Sequence, residues 1–178
     1  MIFDYAISNH KSSIKTVGIF VNETMETIER ILQQCGLDLA QLHGDETPEL
    51  VAAFNGRAFK AFRGTGERHA EYVSARNPSP LIPKVYAPAF LVDAYSSTHY
   101  GGTGHTADWR AAQPLAAQYP LFLAGGLTPE NVADAIQQVQ PWGVDVASGV
   151  ESAPGVKDHL KIKLFVENAK RAGGQVGG

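Results

Sequence analysis

The sequence has very little cysteine, which excludes a fold stapled by disulfide bonds. Cys35 is the only cysteine among 178 residues, so no disulfide can form within the chain and a reducing compartment is expected. No apolar run approaches the ~20 residues that a membrane-spanning helix needs. The opening residues MIFDYAISNHKSSIK also lack the apolar core and cleavage site of a signal peptide. We therefore expect a soluble protein of the cytoplasm.

The sequence also lacks an excess of charge of one sign. Lys and Arg number 15 against 18 Asp and Glu, a net charge of −3 at pH 7. No basic run occurs, so neither nucleic acid nor an anionic membrane is expected as a partner. No histidine pair has the spacing of a metal site, so no metal is expected. With 44% hydrophobic residues, the chain is long enough for one globular domain with a sizeable core.

Short runs of β-forming residues alternate with longer amphipathic stretches, which is typical of βα units on a parallel sheet. The predicted strands are Thr16–Val21, Leu39–His43, Phe59–Arg63, Ala89–Ala94, Leu121–Gly125 and Gly143–Ser148. Residues 16–172 form the predicted α/β domain. An atypical segment, 1–15, precedes it, and the glycine-rich residues 173–178 are expected to be a flexible tail.

The helices between the strands carry start and stop signals. The first ends at Gly36 and has an apolar stripe at helical spacing, formed by Met25, Ile28, Ile31, Leu32 and Cys35. Later helices are predicted to begin at Thr47, Asp108 and Thr128, whose side chains can cap a first turn. The last helix is predicted over about 158–170, with a buried stripe of Leu160, Ile162, Phe165 and Ala169.

Polar or glycine residues follow nearly every predicted strand, and this separates two α/β architectures. A (β/α)₈ barrel gathers all its strand ends on the one face where barrel enzymes keep their sites. A doubly wound sheet uses only the strand ends at its switch point. The barrel is therefore favoured, although two of its eight strands are not recognised. The strand-end residues are Asn22, His43, Arg63, Asp93, Gly125, Gly126, Ser148 and Gly149.

Two loops favour a phosphate ligand. AGGLTPENV (124–132) places a glycine pair between a strand and a helix, and DVASGVE (145–151) follows the next strand, with the Ser148 hydroxyl. Backbone N–H groups in such loops bind phosphate, and glycine permits close approach. The loops after the last two strands of a barrel frequently form a phosphate site. A third loop, YGGTGHTADW (100–109), fits a second phosphate contact, a lid or an ordinary mobile loop.

Seven segments, taken in order, carry a further signal: VGIFVN, GLDLAQLHGDE, KAFR, LVDAY, YGGTGHTADW, LAGGLTPENV and GVDVASGVESAPGVKD. In this order and spacing they resemble the phosphoribosylanthranilate isomerase family of tryptophan biosynthesis, from Thr16 to about Ala172. The resemblance implies a single-domain (β/α)₈ barrel that works without metal or organic cofactor. Its reaction is the Amadori rearrangement of N-(5-phosphoribosyl)anthranilate to 1-(2-carboxyphenylamino)-1-deoxyribulose 5-phosphate, so the expected partner is a small phosphorylated sugar.

The resemblance also implies roles for individual residues. Asp93 is the general acid that protonates the ribose ring oxygen and opens the ring to a Schiff base. General acid help of this kind is worth about 10² to 10⁴ in rate. His43 and Arg63 line the mouth of the site. The implied phosphate site consists of Gly125, Gly126, Asp145, Ser148 and Gly149.

One part of the family pattern has no match. The family opens with a strand ending in Lys-Ile-Cys-Gly, whose thiolate is the base, whereas this sequence enters at what resembles the third strand. Cys35 lies at the end of a helix rather than of a strand and is expected to be a small buried hydrophobe. We therefore expect little isomerase activity from this chain alone, with phosphate compounds still bound. The alternative is a non-catalytic phosphate-binding protein.

Two further expectations follow from the strands. A synthase or aldolase is disfavoured, because Lys60 lies inside its predicted strand and no strand end offers a Schiff-base lysine. An open arc of six strands would expose two sheet edges and the side chains of Val17 and Ile19. Such an edge is a predicted site for self-association or for a complementing chain.

Overall fold

The computed structural model describes residues 14–66, 68–75, 88–94 and 109–176. In chain order its elements are β1 (Val17–Phe20), α1 (Met25–Cys35), β2 (Leu39–Leu42), α2 (Pro48–Ala53), β3 (Ala58–Arg63), α3 (His69–Ala75), β4 (Phe90–Asp93), α4 (Trp109–Ala116), β5 (Leu121–Ala124), α5 (Val132–Val139), β6 (Gly143–Val144), a 3₁₀ turn (Ser148–Val150), β7 (Glu151–Ala153), β8 (Val156–Lys157) and α6 (His159–Val176). The predicted alternation of strands and helices is confirmed.

Strands β1 to β6 form a six-stranded sheet whose spatial order follows the chain order. The registers of β1 with β2, β2 with β3, β4 with β5 and β5 with β6 are all parallel. Helical crossovers between parallel neighbours make βα units. The predicted α/β class is therefore confirmed.

The last strand of this sheet is shorter than predicted. β6 ends at Val144, whereas the prediction continued it to Ser148. Ala147 has ψ −82°, outside the β region of backbone conformations, so the extended chain cannot continue there. The chain enters a 3₁₀ turn and then the antiparallel hairpin of β7 and β8, which the sequence pattern did not predict.

The chain divides into two compact units, and the division falls inside β3. The first comprises Met1–Ala61 and Arg68–Ala87, and the second comprises Phe62–Glu67 and Pro88–Gly178. In the first unit, α1 packs through Ile28 and Leu32, which are both buried. The core around them consists of Phe20, Leu39, Ala40, Leu42, Val51, Phe54, Ala58 and Phe59.

The predicted stripe of α1 was too long. Met25 is 42% exposed and Cys35 is exposed, while Ile31 is half-buried. Ile28 and Leu32 make one i, i+4 row, and the residues beyond either end of that row reach solvent. The prediction that Cys35 is a buried hydrophobe is therefore wrong.

In the second unit, α6 packs against α5 through a different face from the predicted one. Leu160 is 65% exposed and Ile162 is 37% exposed, whereas Phe165 and Ala172 are buried. The two buried residues are two turns apart, so a single narrow row contacts α5. Of the predicted stripe only Phe165 is buried, and Ala169 is half-buried. The helix runs to Val176, so part of the segment predicted to be a flexible tail is helical.

The helix ends test the predicted caps. Gly36 ends α1 in the left-handed conformation (φ 63°), and the Thr47 hydroxyl accepts the Leu50 N–H at the start of α2, so both predictions are confirmed. The start predicted at Thr128 is wrong, because α5 begins at Val132. The predicted cap at Asp108 and the loop before it, 100–108, lie outside the described residues.

The outer edge of β1 is open in the described part of the chain. β1 is the first strand in the sheet order and pairs with β2 alone among the described strands. Val17, Ile19 and Val21 are 39%, 66% and 58% exposed, as the prediction of an exposed β1 face required. Among the described residues, no helix is long and apolar enough to cross a membrane.

Candidate active site

Three neighbouring strand ends in the second unit bring the predicted acid next to the predicted phosphate loop. Asp93 is the last residue of β4 and is aligned with Ala124, the last residue of β5. The Asp93 carbonyl accepts the Gly64 N–H at 2.9 Å, just after Arg63 ends β3. Arg63 is exposed and Asp93 is half-buried. These residues and Gly125 therefore lie on the same edge of the sheet.

The first phosphate loop has a backbone shape that requires glycine. Gly125 and Gly126 have φ values of 94° and 65°, a region that other residues rarely adopt. Asn131 then fixes the loop from both sides. Its Nδ2 donates to the Gly126 carbonyl at 2.9 Å, and its Oδ1 accepts the Thr128 N–H at 2.8 Å. Sequence reasoning missed Asn131, although an asparagine just before a helix is a common capping residue.

The second loop packs directly on the first. The Asp145 N–H donates to the Leu123 carbonyl at 2.9 Å, which starts the loop beside β5. A Cβ at Gly149 would overlap the carbonyl oxygen of Leu127, so only glycine permits this close approach. Ser148 and Asp145 are exposed. The structure thus brings all five predicted phosphate-site residues into two touching loops.

His43 lies at the corresponding strand end of the first unit. It follows β2, and its N–H donates to the Phe20 carbonyl at 2.8 Å. Its Nδ1 is 3.3 Å from the Gln41 Nε2, so the two side chains share one side of the strand, as predicted. Gln41 is buried and His43 is half-buried. Because the amide can donate this bond, the arrangement favours the tautomer whose Nδ1 accepts.

A buried ion pair that sequence reasoning missed joins the strand ends of the first unit. The Lys60 Nζ lies 3.2 Å from the Glu46 Oε2, and the two side chains are only 6% and 1% exposed. Lys60 also donates to three carbonyl oxygens, those of Leu42, Gly44 and Ala61. A lysine so engaged is not a nucleophile at a strand end. Its presence inside the apolar run FKAF was the available signal.

The Glu46 carboxylate also has backbone partners besides Lys60. It accepts the N–H groups of Asn22 and Gly44, both at 2.8 Å. Burial by itself would raise the pKa of the Glu46 carboxyl, but the N–H groups of Asn22 and of Glu46 itself, together with Lys60, lower that pKa below its ordinary value. The Tyr72 hydroxyl donates to the Glu46 carbonyl at 2.7 Å. The loops after β1 and β2 are therefore held to β3 through one carboxylate and one ammonium.

Cys35 does not join the strand-end residues. It is the last residue of α1 and precedes the amino end of β2, whereas His43 follows the carboxyl end. Among the described residues, no group of three His, Cys, Asp or Glu side chains could hold a metal ion.

Comparison with known proteins decides the family. The sequence profile described as PRAI, N-(5'phosphoribosyl)anthranilate (PRA) isomerase, matches residues 4–168. The N-(5'-phosphoribosyl)anthranilate isomerase of Pelobacter propionicus is 45% identical over 157 residues, which is 88% of this chain and 71% of that protein. This chain belongs to the phosphoribosylanthranilate isomerase family. The corresponding enzyme of Roseiflexus castenholzii is 47% identical over 169 residues, 94% of this chain and 76% of that protein.

Solved structures agree with this assignment. Phosphoribosyl anthranilate isomerase from Thermotoga maritima has a TM-score of 0.74 at 36% identity, covering 95% of this chain and 78% of that one. Another structure of a phosphoribosyl anthranilate isomerase, in complex with reduced 1-(o-carboxyphenylamino)-1-deoxyribulose 5-phosphate, has a TM-score of 0.71 at 34% identity and covers 95% of this chain and 77% of that one. The family resemblance, the barrel-family fold and the assignment to an isomerase of tryptophan biosynthesis are confirmed.

The buried pair can be tested by removing its cation. Lys60→Met leaves the Glu46 carboxylate buried without its partner, and we expect the free energy of unfolding to fall by about 3 to 5 kcal/mol. The double variant Lys60→Met with Glu46→Gln removes both charges and should recover part of that loss. Urea unfolding of the single and double variants measures both effects.

A matched control is the exposed pair of Lys15 and Asp38, whose nitrogen and oxygen are 3.0 Å apart with side chains 43% and 36% exposed. Lys15→Met should cost at most about 1 kcal/mol, because water screens exposed pairs. A loss for Lys60→Met no larger than this control would contradict the role given to the buried pair.

The lowered pKa of Glu46 predicts a pH dependence of stability. A carboxyl whose pKa is lower in the folded state stabilises the protein fully above its unfolded pKa, and that contribution disappears as pH falls through the folded pKa. The stability advantage of the wild-type chain over Glu46→Gln should therefore be constant above pH 4.5, the ordinary value, and shrink below it. Urea unfolding at a series of pH values measures this difference, and one that persists unchanged to low pH would rule out the assigned shift.

Proposed function

We propose that this chain acts on N-(5'-phosphoribosyl)anthranilate with Asp93 as the general acid that opens the ribose ring. We still expect little complete isomerisation by this chain alone, because no described residue is assigned as the base. The observation that carries the proposal is the alignment of Asp93 with Ala124, immediately before Gly125. It supports an acid and a phosphate loop on adjacent strand ends. Proton transfer from Asp93 to the ring oxygen accompanies cleavage of the C1′–O bond, while the anthranilate nitrogen supplies its electron pair to form the Schiff base. A ring oxygen is a poor leaving group unless it is protonated in this way.

The phosphate of the substrate is assigned to the two touching loops. The backbone N–H groups of Gly125, Gly126, Ser148 and Gly149 are assigned to this phosphate, and the positive φ values of Gly125 and Gly126 support a loop shaped by glycine. Asp145 is assigned to the start of the second loop through its backbone bond to Leu123, because its carboxylate would repel a phosphate dianion. Arg63 is assigned to the mouth of the site, and His43 stays a predicted substrate-binding residue at the strand end of the first unit. A cytoplasmic location, inferred from composition, belongs to the same proposal.

The second step, which breaks the C2′–H bond, needs a base. Cys35 is not assigned to this role. Removal of the C2′ proton converts the Schiff base to an enolamine, which tautomerises to the ketone. Cys35 lies by the amino end of β2, away from the strand-end edge on which this chemistry is placed. The alternative function, a phosphate-binding protein without catalysis, shares the phosphate loops and differs in turnover alone.

The variant Asp93→Asn tests the role of Asp93 as the general acid. Asp93→Asn keeps the size of the side chain but removes its dissociable proton, so kcat/KM for N-(5'-phosphoribosyl)anthranilate should fall about 10²- to 10⁴-fold. Binding of inorganic phosphate should change less than about twofold, since the phosphate loops are untouched. The measurement pairs a turnover assay with a phosphate titration.

Glu167→Gln is the matched control, because Glu167 is exposed in the middle of α6 and belongs to neither of the proposed phosphate loops. It should leave both quantities at wild-type values. An Asp93→Asn chain as active as the wild type would remove Asp93 from the mechanism. A wild-type chain that binds phosphate but shows no turnover would favour the non-catalytic alternative instead.

We also propose that a second copy of this chain pairs with the open edge of β1. The support is the exposed apolar face of Val17, Ile19 and Val21 beside backbone groups that have no partner strand among the described residues. An edge of this kind is self-complementary, because antiparallel pairing of two β1 strands about a two-fold axis satisfies both edges at once. A related Thermotoga maritima enzyme is described as dimeric.

Charge on this face should prevent the association. Ile19→Lys places an ammonium in the contact, so the mass measured by analytical ultracentrifugation should shift from dimer toward monomer. Leu160→Lys is the matched control, since Leu160 on α6 is 65% exposed against 66% for Ile19. A wild-type chain that sediments as a monomer at all concentrations tested, or a dimer unaffected by Ile19→Lys, would exclude this surface.

A further inference from the structure

Lys157 lies at the end of the hairpin that follows the second phosphate loop, and its side chain turns back to that loop. Its Nζ donates to the Ala147 carbonyl at 2.6 Å and pairs with the Glu151 Oε1 at 2.8 Å. Ala147 is the residue before Ser148 in the proposed phosphate site. The side chain thus bridges the hairpin of β7 and β8 to the first peptide of the phosphate-binding turn.

The hairpin holds Lys157 in this position through several other bonds. The Glu151 Oε2 accepts the Gly155 N–H at 3.2 Å, and the Glu151 carbonyl accepts the Lys161 Nζ at 2.7 Å. The Asp158 N–H donates to the Val150 carbonyl at 2.8 Å. Lys157 and the Gly155 N–H lower the pKa of Glu151, so its carboxylate stays ionised as the partner of the ammonium. The segment from Ala147 to Lys161 is therefore held together by hydrogen bonds between its own residues.

The bond to Ala147 has a directional consequence for Ser148. A trans peptide is planar, so the carbonyl of one residue and the N–H of the next point in opposite directions. Fixing the Ala147 carbonyl toward Lys157 therefore fixes the Ser148 N–H away from it. Turning this peptide over would break a charge-assisted hydrogen bond, which is stronger than a bond between neutral groups.

We propose that Lys157 is a positioning residue that orients the Ser148 N–H for the substrate's phosphate without contacting the phosphate itself. The inference rests on the proposed phosphate site and adds a residue that determines its geometry. Two other roles make different predictions. A surface ion pair, at 45% and 17% exposure of Lys157 and Glu151, would affect stability slightly and binding not at all. A direct cation on the phosphate would act through its charge and be screened by salt.

The test is a titration with inorganic phosphate, followed through the backbone amide resonances of Gly126, Ser148 and Gly149. Lys157→Met removes the bond to Ala147 and should weaken phosphate binding about tenfold, with a shifted Ser148 amide already in the free protein. Lys157→Arg retains a cationic donor and should stay within about threefold of the wild type. The matched control, Lys163→Met, removes an exposed lysine 3.9 Å from Glu167 on α6 and should leave binding unchanged.

Two further measurements, the salt dependence of phosphate binding and the effect of Glu151→Gln, distinguish a positioning role of Lys157 from a direct electrostatic role. If Lys157 orients the peptide, the loss in Lys157→Met should be the same at low and moderate salt, and Glu151→Gln should not tighten binding. A loss that disappears with salt, or tighter binding by Glu151→Gln, would overturn the positioning role in favour of direct charge. Equal binding by the wild type and Lys157→Met would overturn the inference while leaving the phosphate site in place. A wild-type chain that does not bind phosphate would overturn the site and the inference together.

Discussion

The buried pair of Lys60 and Glu46 is the constraint on which the strand-end face of the first unit depends. Two charges removed from water are tolerated only when nearly every donor and acceptor is used. Here the ammonium binds three carbonyls as well as the carboxylate, and the carboxylate accepts the N–H groups of Asn22 and Gly44. The loops after β1 and β2 therefore cannot relax independently. His43 lies in one of them, so its position depends on the pairing of Lys60 with Glu46.

In the second unit, the strand-end loops of the described residues are held without a buried ion pair. Side chains there bind loop carbonyls, Asn131 at Gly126 and Lys157 at Ala147. The absent Cβ of Gly149 lets the two loops touch at Leu127. Each contact fixes the direction of a peptide, and hence the direction of the next N–H. The proposed phosphate site would rely on oriented backbone dipoles more than on cationic side chains, which fits a chain with a net charge of −3.

Sequence patterns predicted the strands, the stop at Gly36 and the residues at the strand ends, because these depend on local signals: β-forming runs, left-handed glycine and polar residues after apolar ones. Helical periodicity failed to predict which side chains are buried, because burial also depends on how much of a helix its neighbour covers. Leu160 fits a helical stripe but is exposed, since α5 covers only the row of Phe165 and Ala172. The pairing of Lys60 with Glu46 could not be predicted from local sequence signals either, because the groups that contact the pair come from three different strand ends. The family assignment succeeded because many weak motifs agreed in order.

The register between β4 and β5 relates the proposed phosphate loops to the proposed general acid. Neighbouring strands lie about 4.8 Å apart, and Asp93 is aligned with the residue before Gly125. In a ribose 5-phosphate, only C4′ and C5′ separate the ring oxygen from the phosphoester oxygen. A phosphate held at Gly125 and Gly126 therefore leaves the ring oxygen within reach of the adjacent strand end. In the proposed mechanism, binding energy from the non-reacting phosphate orients the ring toward Asp93. The direction of single loop peptides is therefore expected to affect the rate of a step that takes place on another strand.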